Sequence, residues 1–182
     1  VSRWYDYSGN AIHLDQNTGA NYPSLSSYDG NYYVGFNQGA DNNEHLSSTK
    51  PFLGLNNQDK FSIFIVQKLD GDATSDMSSL SIDNTSHGIL LERKPDNTYR
   101  FLNRNSSNAS EESNITAGSG DTNTHILTYR RDATKPTDSM KIIIDGVPQN
   151  NTSETLNYNG QITATDLKIL LGGLHNGAVS SR

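Results

Sequence analysis

The hydrophobic positions of this chain fall in short clusters separated by polar stretches, and the spacing inside the clusters is that of β-strands. The strongest run is Phe61 to Leu69, FSIFIVQKL. Phe61, Ile63 and Ile65 share one face of an extended chain, while Phe64 and Val66 make the opposite face apolar as well. Such a strand is either central and covered on both sides, or lies at an interface. His125 to Gly146, HILTYRRDATKPTDSMKIIIDG, reads as strand, loop, strand and turn. HILTYRR and MKIII are rich in β-branched and aromatic residues, RDATKPTDS is polar with a proline, and Asp145-Gly146 favours the positive φ angles of a tight hairpin. Val147 then starts a returning strand. Gly88 to Lys94 and Tyr99 to Asn103 predict a second hairpin across Pro95-Asp96-Asn97-Thr98. Tyr32 to Phe36 and Leu167 to Leu171 predict two more strands.

The remaining segments lack a strand period. Val1 to Ser27 reads as a loop, with turn chemistry at Ser8-Gly9-Asn10 and Thr18-Gly19. Asn37 to Lys60 is a polar connection anchored at Pro51-Phe52-Leu53, and Asp70 to Ser79 is a second loop. Ser106 to Asn123, the most polar segment, reads as a long loop or a weak edge strand, and another polar stretch runs through Asn151 to Asn159. No ten-residue amphipathic helix pattern occurs. The expected fold class is all-β, built from antiparallel strands.

Composition narrows this further. A length of 182 residues suits one domain, and a hydrophobic fraction of 32% with a mean hydropathy of -0.68 predicts a thin core between two sheets. With no cysteine, a disulfide framework and a thiolate metal site are both excluded. A formal charge of -6, with 14 Lys and Arg spread along the chain, speaks against nucleic acid as a partner. No apolar run approaches membrane-spanning length, so no membrane insertion is expected. Six N-x-S/T triplets occur, at Asn84, Asn105, Asn108, Asn114, Asn150 and Asn151. A chain this rich in Asn, Ser and Thr yields roughly four by chance, so they carry little weight as glycosylation sites.

Two clusters hold candidate chemistry. Six of the nine Tyr and the only Trp lie within the first 33 residues. They read either as an aromatic platform that stacks on sugar rings, with Trp4, Tyr5 and Tyr22 as the candidate glycan-binding residues, or as rings that seal one edge of the fold. The loop after Leu69 carries Asp70, Asp72 and Asp76, of which Asp70 and Asp72 are candidate calcium ligands. The EF-hand pattern fails there, because Ser75 stands where glycine is needed and Ser81 where the bidentate Glu belongs. A solvated acidic loop is the competing reading. His13, His45, His87, His125 and His175 are too scattered to mark a metal site. The serine-hydrolase elbow, the phosphate loop, the dinucleotide fingerprint and the H-E-x-x-H motif are all missing.

In order along the chain, VSRWYDYSGNAIHLDQ, FSIFIVQKLD, HILTYRR to MKIIIDGV, and LKILLGG resemble the laminin-G-like or concanavalin A-like lectin/glucanase domains. The resemblance implies a two-sheet antiparallel jelly-roll sandwich over residues 1–182. It also implies a single lectin-like domain that is part of a longer chain, because the strands that usually flank the opening motif and the Gly172-Gly173 pair have no room here. Its context is a bacterial surface or a tailed-phage virion. The expected function is a non-catalytic glycan-binding module, extracellular or on a virion surface, with Ca²⁺ as the candidate cofactor and glycans or neighbouring structural subunits as partners. The alternative is a purely structural decoration or assembly domain. A glycoside hydrolase is the weakest reading. Catalytic members carry E-x-D-x-E on one strand so that alternate carboxylates enter one cleft, and Glu44, Glu92, Glu111, Glu112 and Glu154 form no such set. No catalytic residue is therefore expected.

Overall fold

The computed structural model describes residues 1–36, 44–69, 71, 77–84, 88–104, 110–116, 121–135, 139–151, 153–156 and 161–172. In chain order the strands are β1 (Arg3–Trp4), β2 (Leu14–Asp15), β3 (Ser24–Tyr28), β4 (Asn31–Gly35), β5 (Leu46–Ser48), β6 (Lys60–Lys68), β7 (Met77–Asp83) and β8 (Gly88–Arg93). They continue with β9 (Thr98–Arg104), β10 (Ser110–Thr116), β11 (Thr124–Asp132), β12 (Met140–Ile144), β13 (Val147–Pro148), β14 (Ser153–Leu156) and β15 (Lys168–Leu171). A single 3₁₀ turn, Gly19–Asn21, is the only helical element among the described residues.

These strands form two main sheets, both antiparallel. The larger runs β1-β2-β5-β15-β7-β8-β9-β10-β14, the smaller β13-β12-β11-β6, and β3 and β4 pair as a separate hairpin. Alternation along each strand puts one set of side chains between the sheets. Leu80, Ile82, Ile89, Leu91, Tyr99, Phe101 and Ile115 come from the large sheet, and Leu127, Tyr129, Met140 and Ile142 from the small one. Phe101 meets Phe61 and Tyr129 edge-on, with ring centroids 6.2 and 5.6 Å apart. Leu55, Ile162, Ala164 and Leu167 close the core from the connections. This is the thin two-sheet core that the composition predicts.

Turn chemistry sets the registers. Asp145 (φ 51°) and Gly146 (φ 81°) turn β12 into β13 as the sequence predicts, and Asp29 (φ 48°) and Gly30 (φ 76°) do the same between β3 and β4. Gly88 opposes Asp83 across β7 and β8, and a Cβ there would overlap Asp83 itself. Only glycine permits that close approach.

Four expectations need correction. Val1 to Ser27 is not all loop, since it contributes β1, β2 and most of β3. The segment after Leu69 becomes strand from Met77 onward, with a bulge between Ser78 and Leu80. Ser110–Thr116 is no edge strand, because β10 lies between β9 and β14. Finally, of the two alternatives for β6, central and covered or at an interface, the central one does not hold. Among the described residues β6 pairs only with β11, and its outer face stands open, with Phe64 71% and Val66 70% exposed.

Candidate functional site

The face of the large sheet turned away from the core mixes charged and polar residues with leucines. One register row joins Arg3, Asp15, Ser47, Leu170, Ser81, Leu90, Leu102 and Glu112 across strands β1, β2, β5, β15, β7, β8, β9 and β10. At about 4.8 Å per strand, the six steps from Asp15 to Glu112 cover about 29 Å. Residues two positions along share this face. They place Glu92, Arg100 and Asn114 in one parallel row, and Lys168, Asp83, Gly88 and Arg104 in another.

The centre of the face is ion-paired. Arg100 donates from Nε to Glu92 at 2.6 Å and from Nη2 to the same carboxylate, and its Nη1 lies 3.9 Å from Glu112. Asn114 donates to Glu112 at 2.5 Å. Glu92 is almost wholly buried, so its charge is tolerated only because Arg100 neutralises it. Asp83 is less well served. Arg104 approaches at 3.5 Å, neither carboxylate oxygen has a hydrogen bond among the described residues, and burial pushes the carboxyl up to about 7 against the pull of Arg104.

At the β1 side the same face turns aromatic. Arg3 grips Asp15 with two bonds, Nε to Oδ1 at 2.6 Å and Nη2 to Oδ2 at 2.7 Å, and this pair holds the Asp15 carboxyl below its ordinary range. The guanidinium also sits over the Tyr5 ring, 5.7 Å from its centroid. Tyr5 meets Tyr7 at 6.5 Å and His13 at 5.3 Å. The loop that carries these rings is closed by Asp6. Its carboxylate accepts from Ser8 N at 2.7 Å and Ile12 N at 3.0 Å, and its own N–H donates to His13 Nδ1 at 3.0 Å. Those contacts, led by Ser8, hold Asp6 down at about 2. Tyr7 is 93% and Tyr5 52% exposed, so the result is a hydrogen-bonded loop that presents open rings beside an ion-paired cation.

The predicted site residues divide. Tyr5 lies in this array. Trp4, 48% exposed, is paired with Leu14 in the opposite phase of the sheet, and Tyr22, 40% exposed, follows the 3₁₀ turn beside Pro23, whose carbonyl accepts from the Val1 amino group. No ring contact among the described residues joins Trp4 or Tyr22 to Tyr5. Trp4, Tyr5 and Tyr22 thus stand between 40% and 52% exposed, each with part of its ring covered and part open. Asp70 and Asp72 lie outside the described residues, as does Asp76. Among the described residues, no three His, Asp or Glu side chains gather at metal-binding spacing.

Sequence reasoning missed Asp83, Glu92, Arg100, Arg104 and Glu112. A signal was there: GILLER and TYRFLNR each alternate, placing Leu90 and Glu92 on one face and Arg100, Leu102 and Arg104 on one face. Only the register shows that these faces are the same.

No protein-family model matches the sequence, and no curated protein matches it. Solved structures do. The CBM40 of Ruminococcus gnavus IT-sialidase, bound to α2,3 sialyllactose, matches with a TM-score of 0.52 at 17% identity, over 68% of this chain and 69% of that one. Mouse laminin α1 domains LG4-5 match with a TM-score of 0.53 at 16% identity, over 75% of this chain and 36% of that one. At such identities the likeness establishes the fold. It is the laminin-G-like, concanavalin A-like jelly-roll sandwich that the sequence resemblance implies.

Proposed function

We propose that this chain is a non-catalytic glycan-binding module that acts outside the cell or on a virion surface. The observation that carries the reading is the open aromatic array of Tyr5 and Tyr7, braced by Asp6 and flanked by Arg3 and His13. Aromatic faces take the apolar C–H faces of sugar rings, and a neighbouring fixed cation and polar groups supply the hydrogen bonds that select a hydroxyl pattern. A loop ordered in advance loses little entropy on binding. The Ruminococcus gnavus module of like fold carries a sialyllactose, which supports a saccharide as the ligand class.

The carboxylates support binding over hydrolysis. Glu92 and Glu112 share one face, yet Arg100 is paired with both, and a carboxylate so neutralised is poorly placed as nucleophile or acid/base. Calcium at Asp70 and Asp72 is proposed with the lectin reading. A glycan array with and without EDTA tests both. Retention of glycans that falls at least tenfold in Tyr5→Ala, with unchanged thermal unfolding, is the expected result; an EDTA-sensitive signal assigns the ion. An array that stays blank under both conditions overturns the reading.

A second reading, a decoration or assembly domain of a phage virion or surface layer, is favoured by one observation. Phe64, Val66 and Ile126 form an exposed apolar patch on the outer face of the small sheet. Sedimentation of the chain as it stands tests it, with self-association that disappears in Phe64→Thr supporting assembly and a monomer at all concentrations opposing it.

A further inference from the structure

A cleft of about 260 Å³ opens at one end of the small sheet, where β6 begins and β11 ends, and its walls are cationic. Lys60, Arg130, Arg131 and Lys135 line it against a single carboxylate, Asp132. Such a concentration is notable in a chain whose net charge is -6.

The register explains the convergence. Ser62, Arg130 and Lys141 stand side by side on the outer face, across β6, β11 and β12. Two positions beyond, on the same face, Lys60 pairs with Asp132 and reaches its carboxylate at 3.2 Å. The chain then turns back. Asp132 N bonds Ser139 O at 2.7 Å, Ala133 N bonds Asp59 O at 2.8 Å, and Lys135 N bonds Asp132 O at 3.1 Å, which holds Lys135 at the mouth. Asp132 is fully engaged, accepting from Thr134 N and Oγ1 as well as from Lys60. Its charge is therefore already taken up by Lys60 and the turn. Among the described residues, neither Arg130 nor Lys135 has a carboxylate partner. Phe61 and the buried Arg131 form the remaining wall.

We propose that this cleft binds an oxyanion carried on an acidic saccharide, a sulfate or carboxylate group. Arg130 offers a planar fork of donors suited to two oxygens of one oxyanion, Lys135 adds a mobile point charge, and Ser62 adds a hydroxyl. The volume sits just below the range of ordinary ligand pockets, roughly 300–1,000 Å³, and so suits one charged sugar unit. Duplex nucleic acid, a stiff rod with a charge every ~1.7 Å, meets the repulsion of the whole acidic molecule, whereas one charged sugar unit of a flexible chain can enter the cleft and meet the local cations first. That a saccharide carries the oxyanion rests on the glycan-binding reading, whereas the cleft itself is separate from the Tyr5 array.

Fluorescence anisotropy with labelled dextran sulfate, neutral dextran and duplex DNA, at physiological ionic strength, tests the assignment. Dextran sulfate should bind in a salt-dependent manner and dextran should not. Arg130→Glu with Lys135→Glu should weaken dextran sulfate at least tenfold. Lys50→Glu, an exposed residue away from the cleft, should change it less than twofold, and Tyr5→Ala should leave it unchanged. The proposal is overturned by an undiminished affinity in the double variant, by an equal loss in Lys50→Glu, by duplex DNA binding as tightly as dextran sulfate, or by loss in Tyr5→Ala. All variants sit on exposed positions, and a thermal melt checks that each is folded.

Discussion

Tyr129 carries a hydroxyl into the middle of the core. It is fully buried, packs edge-on against Phe101, and its oxygen has no hydrogen-bond partner among the described residues. Burial pushes its ionisation far above the ordinary tyrosine range, so the group is a neutral and unsatisfied donor. Tyr129→Phe removes that desolvation penalty and keeps the ring. Denaturant unfolding should find the variant neutral to about 1 kcal/mol more stable, and a loss above about 1 kcal/mol would show that the hydroxyl is bonded. Asp83 poses a related problem with a charge. Its folded-state value of about 7 lies well above that of an unfolded carboxyl, so the folded state keeps a proton that the unfolded chain has released. Stability therefore falls as pH rises from about 4 to about 7, and levels off above. Asp83→Asn cancels that fall. Between pH 5 and pH 8 the parent should lose on the order of 1–3 kcal/mol more than the variant in urea melts; equal losses would mean that Asp83 titrates normally. Neither residue was singled out by the sequence, because a tyrosine in HILTYRR and an aspartate in SSLSID look ordinary until their neighbours are known.

At the scale of elements, β6 shows what a strand pattern reveals and what it withholds. Its two apolar faces are written in FSIFIVQKL, and the structure sends Phe61, Ile63 and Ile65 to the core and Phe64 and Val66 outward. Which face is covered depends on pairing partners that are distant in sequence. The difference is measurable: Ile63→Ala should cost roughly 2–3 kcal/mol through lost packing, and Phe64→Thr less than about 1 kcal/mol, since Thr suits an open strand surface. Similar costs would place the outer face under cover. Strand β7 escaped notice, and β10 was read as a long loop or a weak edge strand, for the converse reason. MSSLSID is mostly polar and SEESNIT is polar at every position but Ile115, and their strand neighbours include Glu92, Arg100 and Arg104, so polarity there belongs to a charged sheet and not to a loop. The β12–β13 turn adds a clamp of its own. His125 holds Asp145 through Nδ1 at 2.7 Å and Asp121 through Nε2 at 2.9 Å, and since both nitrogens must donate, the ring is held as imidazolium. Its titration is raised, chiefly by Asp145. The clamp's contribution is complete below the ordinary histidine range and is lost as pH rises through the raised value. NMR titration should find His125 above a free histidine and Asp145→Asn lowering it; an unchanged midpoint in that variant would remove Asp145 from the clamp.

Across the whole molecule, stability is concentrated at one side of the large sheet. β8 is buried along its entire length, and β9 buries Tyr99, Phe101 and Asn103 between two full-length neighbours. The opposite side is made of two-residue strands, β1 and β2, held by the Arg3–Asp15 pair and a few backbone bonds, with Trp4 and Tyr5 half-exposed. The hairpin β3–β4 pairs only with itself among the described residues. A sandwich built this way keeps its scaffold in β7 to β11 and carries its open aromatic loop on the part that is cheapest to move. That division explains why the fold was more legible in the sequence than the site: β8, β9 and β11 announce themselves by period, while the Tyr5 array depends on Asp6 closing a loop that has no period at all. Native-state hydrogen exchange should therefore give a gradient. Amides of β8 and β9 should exchange only through global unfolding, with free energies that follow denaturant stability, while those of β1, β2 and the β3–β4 hairpin should exchange through local opening at several kcal/mol less. Arg3→Ala should speed exchange at Leu14 and Asp15 and leave β8 untouched. If β3–β4 is protected as strongly as β8, or if Arg3→Ala loosens both sides together, the two ends form one cooperative unit and the aromatic loop is as firmly held as the core.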